Sequence, residues 1–194
     1  MASVIIAGVG AYAPERVLTN QELTKMVDTS DEWIVSRSGI RERRIAAADQ
    51  ACSDLAIRAA EKALQDAGVS ATDIDLLIVA TATPDYPLPS TACVVQHKLG
   101  VPPHATAFDI AAACSGFVYA LEIAYGQLLT GRYKCALIVG AEKLSSIVDW
   151  TDRTTCVLFG DGAGAAVLKK VDQDGVGIIG SDLGADGELA DYLY

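Results

Sequence analysis

The side chain best suited to covalent chemistry is Cys114, which lies where a predicted strand meets a predicted helix. Residues 108–117 read Phe-Asp-Ile-Ala-Ala-Ala-Cys-Ser-Gly-Phe. At such a turn several backbone N–H groups point outward and the helix dipole favours negative charge. Both effects stabilise a thiolate, which is the nucleophilic form of cysteine. The alternative is a buried structural cysteine, because free cysteines are among the most buried residues.

The sequence holds five cysteines, and their pattern does not indicate metal or redox chemistry. No Cys-x-x-Cys pair occurs, so we expect neither a zinc site nor a dithiol couple, and no bound metal. The odd count indicates free thiols. Cys93 and Cys135 lie in runs that predict burial, so we expect Cys114 to react first, with Cys52 and Cys156 as its rivals.

The net charge of −10 argues against nucleic acid as a partner. Against this acidic background, four arginines crowd into one short segment: Arg37, Arg41, Arg43 and Arg44. They lie either at a solvated helix end or at the positively charged entrance of a site for an anionic ligand.

Hydrophobic residues make up 51% of the 194 residues, so much of the chain must be buried in its own core or against another copy. The length fits one domain, or a domain plus a fragment. Apolar runs such as Ile74–Ala80 are far shorter than the roughly 18 residues that a membrane span needs. No basic segment precedes the apolar start Val4–Ala7, so we expect no signal peptide, a cytoplasmic location and no membrane partner.

Strands and helices alternate along the chain, which predicts an α/β fold with a largely parallel sheet. The predicted strands are Ser3–Gly10, Ile74–Thr83, Ala105–Ile110, Tyr133–Gly140, Ala165–Leu168 and, as a last one, Ile178–Ser181. The predicted helices are Thr19–Val27, Ser30–Trp33, Ser53–Ala67, Ser90–Leu99 and Cys114–Thr130.

Local signals mark several helix ends. Thr19 and Glu22 have the spacing of a capping box, Ser30 can cap the next helix, and Gly68 and Gly100 follow predicted helices. The helix Cys114–Thr130 is apolar around most of its circumference, which predicts burial on all sides between two layers.

Two glycine patterns were candidates for phosphate binding. The first starts at Gly8 and has the spacing of a dinucleotide fingerprint, but Pro14 follows and no helix opens there. The second, Gly160–Gly164, lacks the lysine of a P-loop and predicts a tight turn in which backbones approach closely.

Taken together, these segments resemble the β-ketoacyl-acyl-carrier-protein synthase III family, the condensing enzymes that start bacterial fatty-acid synthesis. The resemblance runs from about Val4 to about Gly187. Its most specific stretches are Met26–Val35, Ser38–Arg43, Asp109–Phe117, Thr151–Arg153 and Phe159–Val167. It implies a thiolase-like, layered αβαβα fold built from two similar α/β halves, with residues 1–194 as the N-terminal half, and a homodimer.

The resemblance also implies roles for individual residues. Cys114 would take the acyl group from coenzyme A as a thioester, with its own N–H as one oxyanion donor. Trp33 and Arg153 would sandwich the coenzyme A adenine, and Thr29 and Arg37 would contact coenzyme A nearby. The alternatives are that Trp33 is a helix-face anchor and Arg153 a surface charge.

Three further residues are implied for the acyl pocket. Leu144 and Phe159 match its walls, and Leu88 matches a loop residue that reaches the pocket of the partner subunit. The acetyl-specific relatives carry phenylalanine at the position of Leu88, so the length of the primer stays open.

The implied reaction joins an acyl-CoA primer to malonyl-acyl-carrier protein with loss of carbon dioxide, and it needs no cofactor beyond the coenzyme A thioester. The family's catalytic histidine and asparagine lie in the second half, and neither His97 nor His104 matches them. We therefore expect a complementary C-terminal half as a partner, the present chain being nicked, truncated or naturally split. The alternatives are a polyketide or signal-molecule starter synthase, a 3-hydroxy-3-methylglutaryl-CoA-synthase-like enzyme, and a non-catalytic dimerisation subunit.

Overall fold

A five-stranded sheet between two layers of helices is the centre of the computed structural model, which describes residues 3–192. The strands are β1 (Ser3–Tyr12), β2 (Arg16–Thr19), β3 (Glu42–Ile45), β4 (Leu76–Ala80), β5 (Thr106–Ile110), β6 (Cys135–Lys143) and β7 (Asp161–Val171). The α-helices are α1 (Asn20–Leu23), α2 (Asp31–Ser38), α3 (Cys52–Ala67), α4 (Thr91–Leu99) and α5 (Gly116–Leu129). Short 3₁₀ turns occupy Ala71–Asp73, Ala113–Ser115, Leu144–Ser146 and Gly187–Tyr192.

The strand order in the sheet is β1-β7-β6-β4-β5. β4 runs parallel to both β5 and β6, but β7 is antiparallel to β6 and to β1. Four of the five strands therefore run in the same direction, as the prediction of a largely parallel sheet requires, and β7 runs the opposite way. The reason lies in the β6–β7 connection, which contains no crossover α-helix and so returns the chain antiparallel to its neighbour.

Alternating residues of the central strands face opposite helix layers. Leu77 and Val79 of β4 pack with α3 and α4, whereas Leu76 and Ile78 pack with α5. All five residues of β4 are buried, as expected for a strand covered on both faces.

Helix α5 is covered on one face only. Its buried residues are Gly116, Ala120, Ala124 and Leu128, all on the side of the sheet. Val118 is 48% exposed and Ile123 is 40% exposed. The prediction that this helix is buried on all sides is wrong for the described residues, because its second apolar face has no layer over it.

A third, smaller core lies beside the sheet, where β2 and β3 pair antiparallel. Its buried members are Leu18, Leu23, Ile34, Ile45, Cys156 and Val157, and Trp33 packs against it. Residues that precede α3 thus share a core with the segment that leads into β7.

The predicted local caps are confirmed. Thr19 and Glu22 form the capping box of α1, and the Ser30 side chain accepts the Trp33 N–H at the start of α2. Gly68 and Gly100 end α3 and α4 in the left-handed conformation, at φ +62° and +79°. Each motif uses neighbours in sequence, so it forms wherever the rest of the chain packs.

Both glycine patterns serve packing. A Cβ at Gly8 or Gly10 of β1 would overlap the backbone of α3, so these glycines let strand and helix approach closely. The predicted tight turn at Gly160–Gly164 is wrong, because residues 161–164 belong to β7. A Cβ at Gly160 would lie 2.9 Å from the Cβ of Arg43, so the predicted close approach is confirmed.

The prediction of a last strand at Ile178–Ser181 is also wrong. The Ile178 N–H donates to the Val4 carbonyl at 2.9 Å, which is one backbone hydrogen bond to β1 and not a strand pairing. None of the described helices is both long enough and apolar enough to cross a membrane.

Candidate active site

Cys114 lies in the 3₁₀ turn Ala113–Ser115, and its side chain is exposed. α5 begins only at Gly116, so the prediction that Cys114 opens this α-helix places its start two residues early. Ala113 has φ +42°, in a region that residues with a Cβ rarely adopt. The nucleophile candidate is therefore held on a strained turn, and backbone strain of this kind is typical of functional sites.

The turn is fixed by tight packing. Gly116 is buried, and a Cβ there would lie 3.1 Å from the Cβ of Ala80 at the end of β4. The Thr81 N–H donates to the Ile110 carbonyl at 3.0 Å, which ties the carboxyl ends of β4 and β5 together. Cys114 thus follows a strand end that cannot shift independently of the sheet.

Asp109, the penultimate residue of β5, holds α4 in place. Its carboxylate accepts the Thr91 N–H at 2.6 Å and the Ala92 N–H at 2.7 Å. These bonds satisfy two N–H groups at the start of α4, where a negative charge also complements the helix dipole. They fix β5 immediately before the Cys114 turn.

Three of the other four cysteines are buried. Burial raises the pKa of Cys52 to about 12 and that of Cys135 to about 11, and it also raises the pKa of Cys156. The prediction that Cys93 is buried is wrong, because it faces solvent in the first turn of α4. Cys93 is therefore the thiol that competes with Cys114 for reagents.

The two histidines lie near the amino end of β5, whereas Cys114 follows its carboxyl end. His104 precedes β5, and the neighbour of His97, Gln96, donates to the carbonyls of Pro102 and Ala105 before that strand. Because β5 rises about 3.3 Å per residue over its five residues, His104 is about 16 Å from the turn. Among the described residues, the Cys114 thiol has no hydrogen-bond partner.

The structure brings three of the predicted coenzyme A contacts together. The Arg153 guanidinium carbon lies 4.6 Å from the centroid of the Trp33 ring, and that of Arg37 lies 5.1 Å from it. Trp33 is placed by the capped start of α2 and by the small core beneath it. An indole with two guanidinium groups close to its ring offers the stacking and cation–π contacts that suit a flat aromatic base.

Thr29 precedes the cap residue of α2, and its hydroxyl oxygen is buried without a hydrogen-bond partner among the described residues. Buried hydroxyls normally have a partner. No described contact joins this atom to Trp33, and its burial keeps it out of reach of a ligand in this conformation.

The arginine cluster divides into two roles. Arg37 and Arg41 are exposed, and Arg37 faces the Trp33 ring. Arg43 is only 5% exposed and donates hydrogen bonds to protein oxygens. Its interpretation as part of a positively charged entrance for an anionic ligand is therefore wrong. Arg44 donates to the Pro14 carbonyl at 3.2 Å.

Two of the predicted acyl-pocket walls are linked through a buried carboxylate. Asp161 accepts the backbone N–H of Ser145 at 2.8 Å and the Ser145 hydroxyl at 2.6 Å. Leu144 precedes Ser145, and Phe159 lies two residues before Asp161. The third predicted residue, Leu88, is 86% exposed in a loop.

Two carboxylates that position this region, Asp161 and Glu142, were not among the predicted site residues. Asp161 also accepts the Ala46 N–H at 2.7 Å. Glu142 accepts the Ala82 N–H at 2.8 Å and the Thr83 hydroxyl at 2.7 Å, which fixes the start of the loop that carries Leu88. The position of Asp161 within the glycine-rich segment was the one sequence feature that could have predicted its structural role. Glu142 lies in no recognisable motif, so its role could not be predicted from the sequence.

Comparisons with known proteins agree with this geometry. Residues 108–187 match the family model of 3-oxoacyl-[acyl-carrier-protein (ACP)] synthase III. A β-ketoacyl-[acyl-carrier-protein] synthase III of Caldanaerobacter subterraneus subsp. tengcongensis is 58% identical over 97% of this chain and 56% of its own length. The crystal structure of the Thermus thermophilus synthase III is 49% identical, with a TM-score of 0.93 over 98% of this chain and 58% of that one.

A more distant structure is the priming β-ketosynthase of the R1128 polyketide pathway. It is 39% identical, with a TM-score of 0.85 over 88% of this chain and 51% of that one. The chain spans 56–60% of the length of the curated relatives that it matches. The predicted thiolase-like α/β fold is confirmed by these structures. Over the length that it spans, the chain belongs to the β-ketoacyl-acyl-carrier-protein synthase III family.

Proposed function

We propose that this chain carries the acyl-accepting part of a β-ketoacyl-acyl-carrier-protein synthase III. The observation that supports this most directly is an exposed cysteine on a strained strand-to-helix turn, in a chain that also builds a tryptophan–arginine platform. The substrates are an acyl-CoA primer and malonyl-acyl-carrier protein. The product is a β-ketoacyl thioester on the carrier protein, so the reaction initiates fatty-acid synthesis.

The first half of the reaction is acyl transfer to Cys114. The thiolate attacks the carbonyl carbon of the acyl-CoA thioester, and the oxyanion of the tetrahedral intermediate is stabilised by the Cys114 N–H. The intermediate collapses, the coenzyme A thiolate leaves, and the acyl group stays on the Cys114 sulfur. Trp33, Arg37, Arg153 and Thr29 hold the nucleotide end of the substrate, so its binding energy orients the thioester.

The second half is decarboxylative condensation. Loss of carbon dioxide from the malonyl unit leaves a carbanion at its α-carbon. This carbanion attacks the acyl carbonyl on Cys114, the new carbon–carbon bond forms, and the cysteine leaves as a thiolate. Histidine and asparagine side chains from a complementary C-terminal half stabilise the developing charge. Two observations support such a half: the bare apolar face of α5, and the 56–60% of the relatives' length that the chain spans.

The remaining parts of the proposal concern assembly and setting. The enzyme works as a homodimer in which the exposed Leu88 reaches the partner subunit's acyl pocket, with Leu144 and Phe159 as walls of its own pocket. Its location is cytoplasmic, which suits five free thiols. The chemistry uses the coenzyme A thioester as substrate and no separate cofactor.

The test is acylation of the chain by acetyl-CoA, followed by mass spectrometry of its peptides. Transfer requires the nucleophile and the coenzyme A platform but not the decarboxylating residues, so we expect one acetyl group on Cys114. The Cys114→Ser variant should stay unmodified, and Cys93→Ser should react like the wild type. An adduct on Cys93 alone, or none at any cysteine, contradicts the enzyme and favours a dimerisation subunit.

The structural similarity to a polyketide priming synthase supports a second candidate, a starter-unit synthase of the same reaction class. The two candidates differ in their primers, not in the chemistry at Cys114. Competition between acetyl-CoA and longer or branched acyl-CoA thioesters for Cys114 separates them.

A further inference from the structure

Arg43 is a buried cation whose described partners are all neutral. Its guanidinium donates to the Leu18 carbonyl at 3.2 Å, to the Asn20 side-chain oxygen at 2.9 Å and to the Val157 carbonyl at 2.7 Å. Within residues 3–192 no carboxylate lies within salt-bridge distance of it. Burying a charge without an opposite charge is costly, so a residue of this kind needs a reason.

The contacts of Arg43 continue through Asn20 to helix α2. Asn20 is 1% exposed, and its amide nitrogen donates to the Asp31 carboxylate and to the Ile40 carbonyl, both at 2.8 Å. Asp31 is the first residue of α2 and stands two residues before Trp33. One unbroken series of hydrogen bonds therefore leads from Arg43 to the helix that carries the tryptophan.

The other end of the series is the segment that carries Arg153. The Cys156 and Thr155 N–H groups donate to the Asp152 carbonyl at 3.0 and 3.3 Å, which closes residues 152–156 into a compact turn. Val157, whose carbonyl accepts from Arg43, directly follows this turn. The two segments that meet at the Trp33–Arg153 contact are thus joined a second time, beneath it.

Gly160 adds an independent reason to regard this geometry as fixed. A Cβ at Gly160 would lie 2.9 Å from the Cβ of Arg43 and 2.9 Å from the Arg44 carbonyl. Such contacts require something to shift, so the backbone entering β7 is packed directly against the base of the Arg43 side chain. The Arg43 guanidinium has little freedom to adopt another position.

We propose that Arg43, Asn20 and Asp31 are positioning residues that set the separation of the two backbone segments that carry Trp33 and Arg153, and so the affinity for the nucleotide end of coenzyme A. This inference rests on the proposed function. The planar guanidinium group of arginine suits this positioning role because it can donate hydrogen bonds to three oxygens from different segments at once. A lysine ammonium is a point charge on a flexible side chain. None of the three residues needs to touch the substrate.

The decisive variant is Asn20→Asp, which keeps the shape and the acceptor for Arg43 but replaces the donor that holds Asp31. The measurement is the rate of Cys114 acylation as a function of thioester concentration. Two thioesters are compared: acetyl-CoA, and S-acetyl-N-acetylcysteamine, which lacks the nucleotide. Since sub-ångström to ångström displacement of a positioning contact can cost up to about 100-fold, we expect the half-saturating acetyl-CoA concentration to rise about 10- to 100-fold.

The maximal acylation rate and the reaction with S-acetyl-N-acetylcysteamine should stay within about twofold of the wild type, because Cys114 itself is untouched. The double variant Asn20→Asp, Asp31→Asn restores a donor between the two positions and should recover most of the acetyl-CoA affinity. Glu32→Ala is the matched control, since Glu32 lies in the same first turn of α2 but has no described bond to Asn20. If Asn20→Asp does not fold, Asp31→Ala tests the same link against the same control.

Equal losses with both thioesters, or no loss with either, would overturn the inference. So would failure of the double variant to recover when it is folded. These outcomes are distinct from failure of the proposed function, which would appear as absence of Cys114 acylation in the wild-type chain.

Discussion

The guanidinium of Arg153 lies 4.6 Å from the centre of the Trp33 ring, closer than a base held between the two would allow. Stacked layers are about 3.5–4.0 Å apart, so a sandwiched adenine needs about 7 Å or more between its neighbours. Arg153 must therefore swing away when the nucleotide binds. The nearest carboxylate, Asp28, is 3.8 Å from it and fully exposed, and such an ion pair restrains the movement little.

Replacing the platform should weaken coenzyme A binding. Trp33→Ala removes the stacking surface, and aromatic–base stacking is worth about 1–3 kcal/mol, so we expect a loss of that size in calorimetric titrations with acetyl-CoA. Trp150→Phe is the control, because Trp150 is the other tryptophan and its indole N–H donates to the Ser145 carbonyl instead. Unchanged affinity in Trp33→Ala would remove Trp33 from the binding site.

The thiols should react in a fixed order. Limiting iodoacetamide at neutral pH should label Cys114 first and Cys93 second, because these two side chains are exposed. Cys52, Cys135 and Cys156 should follow only on unfolding, since burial raises the pKa of each and leaves little thiolate. Peptide mass spectrometry over time gives the order. Faster labelling of Cys93 would argue against an activated nucleophile at position 114.

Alkaline pH should destabilise the fold through Cys52. Burial is the main cause that raises the pKa of this thiol to about 12, and its sulfur also lies 3.2 Å from the Ala141 carbonyl. The folded state keeps a proton that the unfolded chain releases above its ordinary pKa of 9.0. The stabilising contribution is therefore complete below pH 9 and declines up to about pH 12, by at most about 1.4 kcal/mol per pH unit.

Urea unfolding across that pH range measures the decline. Cys52→Ala should be less stable near neutral pH but should show a shallower loss of unfolding free energy at alkaline pH. A residual slope should remain, because burial raises the pKa of Cys135 to about 11 as well. An identical slope in the variant and the wild type would contradict the assignment to Cys52.

Relieving the strain beside the nucleophile should separate stability from reactivity. Ala113→Gly places at φ +42° a residue that adopts positive φ without a clash. A positive φ costs residues with a Cβ about 1–2 kcal/mol, and glycine loses about 0.5–1 kcal/mol of this gain to chain entropy, so the unfolding free energy should rise by up to about 1.5 kcal/mol. The acylation rate of Cys114 should fall, because the turn is then less constrained.

The control for this prediction is Ala112→Gly, one residue earlier, where φ is −141° and no strain is relieved. Thermal or urea unfolding and the acetyl-CoA acylation rate are measured on both variants. A faster acylation in Ala113→Gly would show that the strain hinders the chemistry instead of serving it.

The helix caps, the fold class and the candidate nucleophile of this protein can be predicted from its sequence alone. The capping box of Thr19 and Glu22, the Ser30 cap and the left-handed Gly68 and Gly100 need only their immediate neighbours, so their residue types were sufficient to predict them. The α/β class follows from the alternation of apolar periods. Cys114 is predicted from its place between a strand and a helix, whereas the other site residues come from the resemblance to the synthase III family.

Tertiary structure decided what depends on distant parts of the chain. The antiparallel β7, the exposed face of α5 and the solvent-facing Cys93 depend on which surfaces are covered, and hydropathy along the chain does not encode the covering partner. Arg43 looked like one surface charge among four, yet its burial is set by carbonyls up to 114 positions away. Local propensity fixes where helices begin and end, but only packing decides which side of each residue meets protein and which meets water.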